Sequence, residues 1–177
     1  SRPLPRPHRH SPDTAYRFQA PQNYPLAAHA LSGHGVTWVM NREGHGFLKS
    51  AHRLWTRFLP DAPCGPMFYL RDCETGEYVR PQCRGEMVFE NGCILIPIRA
   101  FSLEGEMRLF VLPLNGEAVA DFHLENKGAQ EKQVELISYL EVTQSTFFQD
   151  AAHPNFRDLS IRIDPLSESG LISRRLL

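Results

Sequence analysis

Apolar and polar residues alternate with a period of two along much of this chain. Ala118, Ala120, Phe122 and Leu124 fall on one face of a stretch whose other face carries Asp121, His123 and Glu125. Val134, Leu136, Leu140 and Val142 share a face in the same way, as do Leu159, Ile161 and Ile163 against Ser160, Arg162 and Asp164. Side chains of a strand point alternately to opposite faces, so the pattern predicts strands with one face buried and the other wet or covered by something polar. Helical spacing of apolar residues is almost absent.

The turn chemistry agrees with strands. "ENGC" places Asn91-Gly92 between two apolar runs, the strongest short hairpin signal. "ETGE", "LEGE", "LNGE" and "NKGA" each offer a glycine whose access to positive φ would let the chain reverse. Turns spaced by about 10 to 15 residues from Thr75 to Gly128 predict an antiparallel meander within a sandwich. Pro97, in "CILIPIRAF", has no N–H to donate and marks an edge strand or a bulge. Residues 60–66 read as a loop. "GLISRRLL" reads as a last strand without a polar finish, so the sheet is expected to continue past the C-terminus of a truncated domain. The prediction is all-β: residues 1–20 a lead-in rich in Pro, Arg and His, residues 21–177 an antiparallel two-sheet sandwich.

Composition narrows the function classes. At 177 residues the chain suits one domain able to bury a core without disulfides or metals. A formal net charge of −1 carries no electrostatic footprint of a nucleic-acid binder. No apolar run approaches the ~20 residues of a membrane span, and "SRPLPRPHRHSPD" lacks the apolar centre of a signal peptide. Cys64, Cys73, Cys83 and Cys93 form no close pair of the kind zinc sites use, and without a secretory signal they are expected as reduced thiols in the cytoplasm. His29, His34, His45 and His52 are irregularly spaced, so no metal is expected there. Neither a GxSxG elbow nor a phosphate-cradling P-loop occurs.

The stretch "SYLEVTQSTFFQDAAHPNFRDLSIRI" draws attention, because a cluster of aromatic and ionisable residues interrupts the alternation. Tyr139 and Glu141 are two apart and project from one face. His153 precedes Pro154, which favours extended backbone and disfavours helix. Asp150 near an imidazole is compatible with acid–base work. The structural alternative is that Asp150 and His153 bond to loop backbone while Phe147, Phe148 and Phe156 plug the sandwich. A surface for another domain or subunit is the third reading. In "YLRD", adjacent Arg71 and Asp72 face opposite ways: Asp72 is expected to accept N–H bonds from the following turn, and Arg71 to reach a carboxylate on a neighbouring strand or across a domain boundary. Trp38, in an apolar run, is expected in the core. Trp55, between Arg53 and Arg57, is expected at a surface or interface; Tyr69 and Tyr78 join the aromatic candidates for sugar contact.

Three segments resemble one family. "GPMFYLRDCETGEYVRP" resembles the G-x-x-x-YLRD-x-x-(S/T)-G segment in the amino-terminal β-sandwich of cellobiose- and chitobiose-phosphorylase-type enzymes. The 138–163 stretch resembles their Y-x-E strand followed by D-x-x-HP-x-F-x-x-L, and "FHLENKGAQEKQVEL" resembles the strand, turn and strand before it. The arrangement is most similar to the phosphorylase-like part of cyclic β-1,2-glucan synthases and covers roughly residues 33 to 165 in the family's order. Tyr78 and Val79 stand where the family often has Trp after the glycine turn.

The resemblance implies a super-sandwich of the galactose-mutarotase-like type, which in the family precedes an (α/α)6 barrel holding the catalytic Asp and the phosphate site. It implies a non-catalytic part of a glycoside phosphorylase or glucan synthase. No catalytic residue, cofactor or metal of its own is expected; the parent uses inorganic phosphate. Expected partners are the barrel of the same polypeptide, an oligosaccharide or β-glucan, and a second copy in a homodimer. Trp55, Arg71, Asp72, Tyr139, Glu141, Asp150, His153 and Phe156 are the candidate ligand or interface residues. The alternatives are a free-standing carbohydrate-binding module and a mutarotase-like epimerase.

Overall fold

The computed structural model describes residues 16–18, 28–59, 62–83, 86–152, 159–167 and 170–176. His153 and Phe156 lie outside them.

Three sheets build two layers. In the first layer β1 (Tyr16–Phe18), β8 (Met87–Glu90), β9 (Cys93–Ala100), β10 (Leu103–Val111) and β11 (Ala118–Asn126) lie in that order, with every pairing antiparallel. The predicted meander is its β8–β11 part. In the second layer β2 (Ala28–Gly33), β3 (Val36–Asn41), β4 (Gly46–Ser50) and β5 (Arg53–Thr56) follow one another and β13 (Val142–Ser145) closes on β5. A three-stranded sheet, β12 (Val134–Tyr139), β6 (Met67–Asp72) and β7 (Tyr78–Val79), also contributes to the core. A short helix α1 (Phe147–Ala152) and a hairpin of β14 (Ile161–Ser167) with β15 (Gly170–Arg175) follow.

The core explains the alternation. Phe89, Ile94, Ile96, Met107 and Leu109 of the first layer meet Leu31, Trp38, Met40 and Leu48 of the second, with Leu70 and Val79 of the small sheet. Trp38 is buried, as expected. Ala118, Ala120, Phe122 and Leu124 pack as one face against this core. Each fully buried Leu or Ile contributes about 1.5–3 kcal/mol, so these side chains dominate the stabilisation of the fold.

Several sequence expectations need correction. "ENGC", "ETGE" and "LNGE" turn at Gly92, Gly76 and Gly116, all with positive φ. "LEGE" does not turn: Gly105 lies inside β10, where an added Cβ would sit 1.9 Å from the His123 carbonyl oxygen. The reversal falls earlier, at Phe101 and Ser102, with φ of 56° and 66°. In "NKGA" Gly128 has no positive φ; the Asn126 side chain organises that loop by accepting the Gly128 N–H at 2.9 Å. Pro97 makes no bulge. It keeps register with Glu106, and β8 pairs with β9 only as far as Leu95, so at Pro97 one flank needs no N–H.

The stretch from Val134 to Val142 is not one strand. It crosses from the small sheet to the second layer at Leu140 and Glu141, and Leu136 opposite Leu70 remains half exposed. Among the described residues the alternation of β14 buries little: Ile161 is partly buried, Ile163 is exposed, and Leu159, also exposed, sits in the turn before the strand. α1 ends at Ala152, and the extended backbone expected at His153 before Pro154 falls outside the described residues. Of its phenylalanines, Phe147 packs edge-on against Phe47 and Phe58 at centroid distances of 5.1 and 6.0 Å, whereas Phe148 projects into solvent instead of plugging the sandwich.

Candidate functional site

Apart from Trp55, the described site residues separate into two groups. The first surrounds Arg57, just beyond β5. Its backbone N–H donates to the Glu141 carbonyl at 2.8 Å, and its guanidinium pairs with the Glu141 carboxylate. The Arg57 Nε stands 3.6 Å from the Asp150 Oδ1 atom. Asp150 is buried in α1 and accepts the Thr143 hydroxyl proton at 2.6 Å. One cation thus holds the crossover between two sheets and the helix that follows. Asp150 was expected to bond to loop backbone; its side chain instead meets Thr143 and Arg57, because α1 turns it inward towards β13. Its own N–H continues the helical turn by donating to the Thr146 carbonyl.

Around this cluster the outer face of the second layer is covered as well. Leu54, Thr56, Thr143 and Ser145 are all buried. The bulge at Gln144, with φ of 49°, carries the terminal hairpin: Gln144 Nε2 donates to the Ser173 hydroxyl at 2.9 Å and Arg175 donates to the Gln144 carbonyl at 2.9 Å. Such an arrangement positions elements. Its charges are spent on each other, and a buried pair of this kind is costly to break.

The second group lies on the small sheet. Asp72 is buried, accepts the Glu74 N–H at 2.9 Å and pairs with Lys132 at 2.8 Å; Lys132 also reaches Glu74 at 2.8 Å. The Lys132 hydrogen bond, with help from the turn amides, holds the Asp72 carboxyl below the usual carboxylate range against the opposing effect of desolvation. Arg71 pairs with Glu135, its register partner on β12, at 2.9 Å. Tyr139 ends β12 on the same face, opposite Met67, and is half exposed. Trp55 is 38% exposed between buried Leu54 and Thr56, so it is a surface residue, but its flanking Arg57 is interior.

Sequence reasoning missed Arg57 and Lys132, whose partners are distant in the chain. It also passed over a cavity of about 520 Å³ walled by Asn41, Glu43, His45, Phe47, Phe58 and Cys64. His45 stands 3.9 Å from Glu43 there. Burial, and then the Arg80 charge, lower its pKa while Glu43 opposes them, so the imidazole is neutral at pH 7. Among the described residues, no three His, Cys, Asp or Glu side chains gather as a metal site would require. None of the described helices is long and apolar enough to cross a membrane.

The described residues form a layered antiparallel β-sandwich in which the charged side chains of both groups pair with one another. The chain belongs to the glycosyl hydrolase 94 family: residues 15–176 match the family described as "Glycosyl hydrolase 94, supersandwich domain". No curated protein matches the chain.

Proposed function

We propose that this chain is the non-catalytic, amino-terminal supersandwich of a glycoside phosphorylase or cyclic β-1,2-glucan synthase, supporting an (α/α)6 catalytic barrel on the same polypeptide. The carrying observation is that the match to the supersandwich family spans residues 15–176 while Arg57, Glu141, Asp150, Asp72 and Lys132 are engaged in holding strands, turn and helix together. Within these two clusters each carboxylate is already paired with a cation, so neither cluster offers a free acid and base for a glycosidic bond. Support for a docking role comes from Leu136, Ile137 and Tyr139, all exposed along β12, an edge strand of its sheet, and from exposed Leu140 just after it. An exposed apolar run on an edge strand is a feature that proteins ordinarily cover. Cytoplasmic residence is part of the proposal and draws on the free thiols of Cys64, Cys73 and Cys93.

The test is reconstitution. The chain alone should release no glucose 1-phosphate from cellobiose and phosphate, and should synthesise no β-1,2-glucan from UDP-glucose. Mixed with the separately produced helical region of its parent, it should co-elute on gel filtration, and a Leu136→Asp/Ile137→Asp double variant should not. Turnover by the chain alone would overturn the reading.

A further inference from the structure

A cleft of about 640 Å³ opens between the β6–β7 turn and the β9–β10 turn, lined by Thr75, Gly76, Glu77, Tyr78, Ala100 and Phe101 among others. We propose that this cleft binds a neutral pyranose unit of an oligosaccharide, with Tyr78 as its stacking platform. The site itself rests on geometry; the choice of a saccharide leans on membership of a glycosyl hydrolase family and goes beyond the scaffold role.

Four features point to that ligand class. Tyr78 is 69% exposed, an unusual display for a ring that large, and it is not loose: Tyr69 meets it at 6.1 Å with an interplanar angle of 70°. A fixed, exposed ring face can take the C–H face of a pyranose. Glu77 is exposed beside it, and a carboxylate can accept from two neighbouring sugar hydroxyls. The Thr75 oxygen already accepts the Glu77 N–H at 3.2 Å, which leaves its O–H to donate outward. The opposite wall is Phe101, a bulky residue held at φ 56° in a turn where Asn or Gly is usual. Backbone held in a disfavoured region of this sort clusters at binding sites. Among the described residues, those lining the cleft include no Lys, Arg or His, which disfavours a phosphorylated sugar and favours a neutral one.

The same atoms build the turn and the wall. Asp72 accepts the Glu74 N–H and the Gly76 N–H donates to the Asp72 carbonyl at 2.9 Å, so the turn carrying Thr75 and Glu77 is fixed before any ligand arrives. Preorganisation lowers the ordering cost of binding.

The experiment is titration of the ¹⁵N-labelled 177-residue chain with cellotetraose, with a β-1,2-linked glucotetraose, and with glucose 1-phosphate. Saturable amide shifts centred on residues 75–78 and 101 are expected for at least one neutral glucan, with a Kd of about a millimolar. Tyr78→Ala should weaken binding by at least about tenfold and Glu77→Gln by a few-fold. Tyr78→Phe, which keeps the ring, should stay within about threefold; a dispersed spectrum for each variant confirms the fold. Glucose 1-phosphate should bind more weakly than either glucan. Absence of saturable shifts, shifts mapping elsewhere, or an unaffected Tyr78→Ala would overturn the site and leave the scaffold role intact.

Discussion

Arg57 grips Glu141 twice, once through its backbone N–H at 2.8 Å and once through its guanidinium, although the two residues are 84 positions apart. Backbone and side chain together fix where the chain leaves the small sheet and enters the second layer. Asp150, on the helix that follows, lies against the same guanidinium.

Removing one member of this cluster strands a buried charge. Arg57→Ala or Asp150→Ala should destabilise the chain by about 3–5 kcal/mol, whereas Glu141→Ala, whose carboxylate is partly exposed, should cost less. Urea unfolding checks this. In a double-mutant cycle Arg57 and Asp150 should be coupled, and the paired change Arg57→Met/Asp150→Leu should recover part of the loss.

His29 sets an acid-side dependence. From β2 it stacks on Phe89 of β8 at 5.1 Å, joining the two layers, and its buried Nε2 has no hydrogen-bond partner among the described residues. Burial pushes its pKa down, and the bond to the Glu90 backbone opposes this only in part. A folded pKa below the unfolded one means that the unfolded state binds the proton more readily. The stabilisation is therefore full above the unfolded value of about 6.5 and declines as pH falls towards the folded value. The urea midpoint should drop between about pH 7 and 5, and His29→Phe should flatten that slope.

Asp72 acts at lower pH. Its carboxyl is held down chiefly by Lys132, so its contribution is present above the ordinary carboxylate range and disappears as pH falls through its own depressed value. An NMR pH titration should find the Asp72 inflection below that of an exposed aspartate. Lys132→Met should move the inflection up and lower the thermal midpoint.

The two tryptophans should behave oppositely. Trp38→Ala empties a fully packed site and should cost about 3–5 kcal/mol. Trp55→Ala, at a partly exposed position, should cost less than about 1 kcal/mol. Thermal denaturation of both variants distinguishes them.

Two glycines make a matched contrast. Gly105→Ala would drive a methyl group into the His123 backbone of the neighbouring strand and should leave no dispersed NMR spectrum. Gly35→Ala meets open space and bears only the strain of φ 79°, so it should fold with a loss of about 1 kcal/mol.

Local information decided much of this molecule. Alternation in Ala118–Leu124 named the face that packs on the core, Asn91-Gly92 named its hairpin, and the apolar run around Trp38 named a core tryptophan. Each follows from the period of a strand or from one residue's φ, and such properties are carried by neighbours in the chain. The same local rules misplaced the turn at Gly105, since a glycine needed for close strand approach looks like one needed for reversal. They also could not divide Val134–Val142 between two sheets, because a crossover keeps the alternation of the strands it joins. The partners of Arg57, Asp72 and Asp150, and the cleft beside Tyr78, emerged only once strands distant in sequence were packed. Pairing of charges and the shape of a cavity depend on distance through space, which the linear order of residues does not specify.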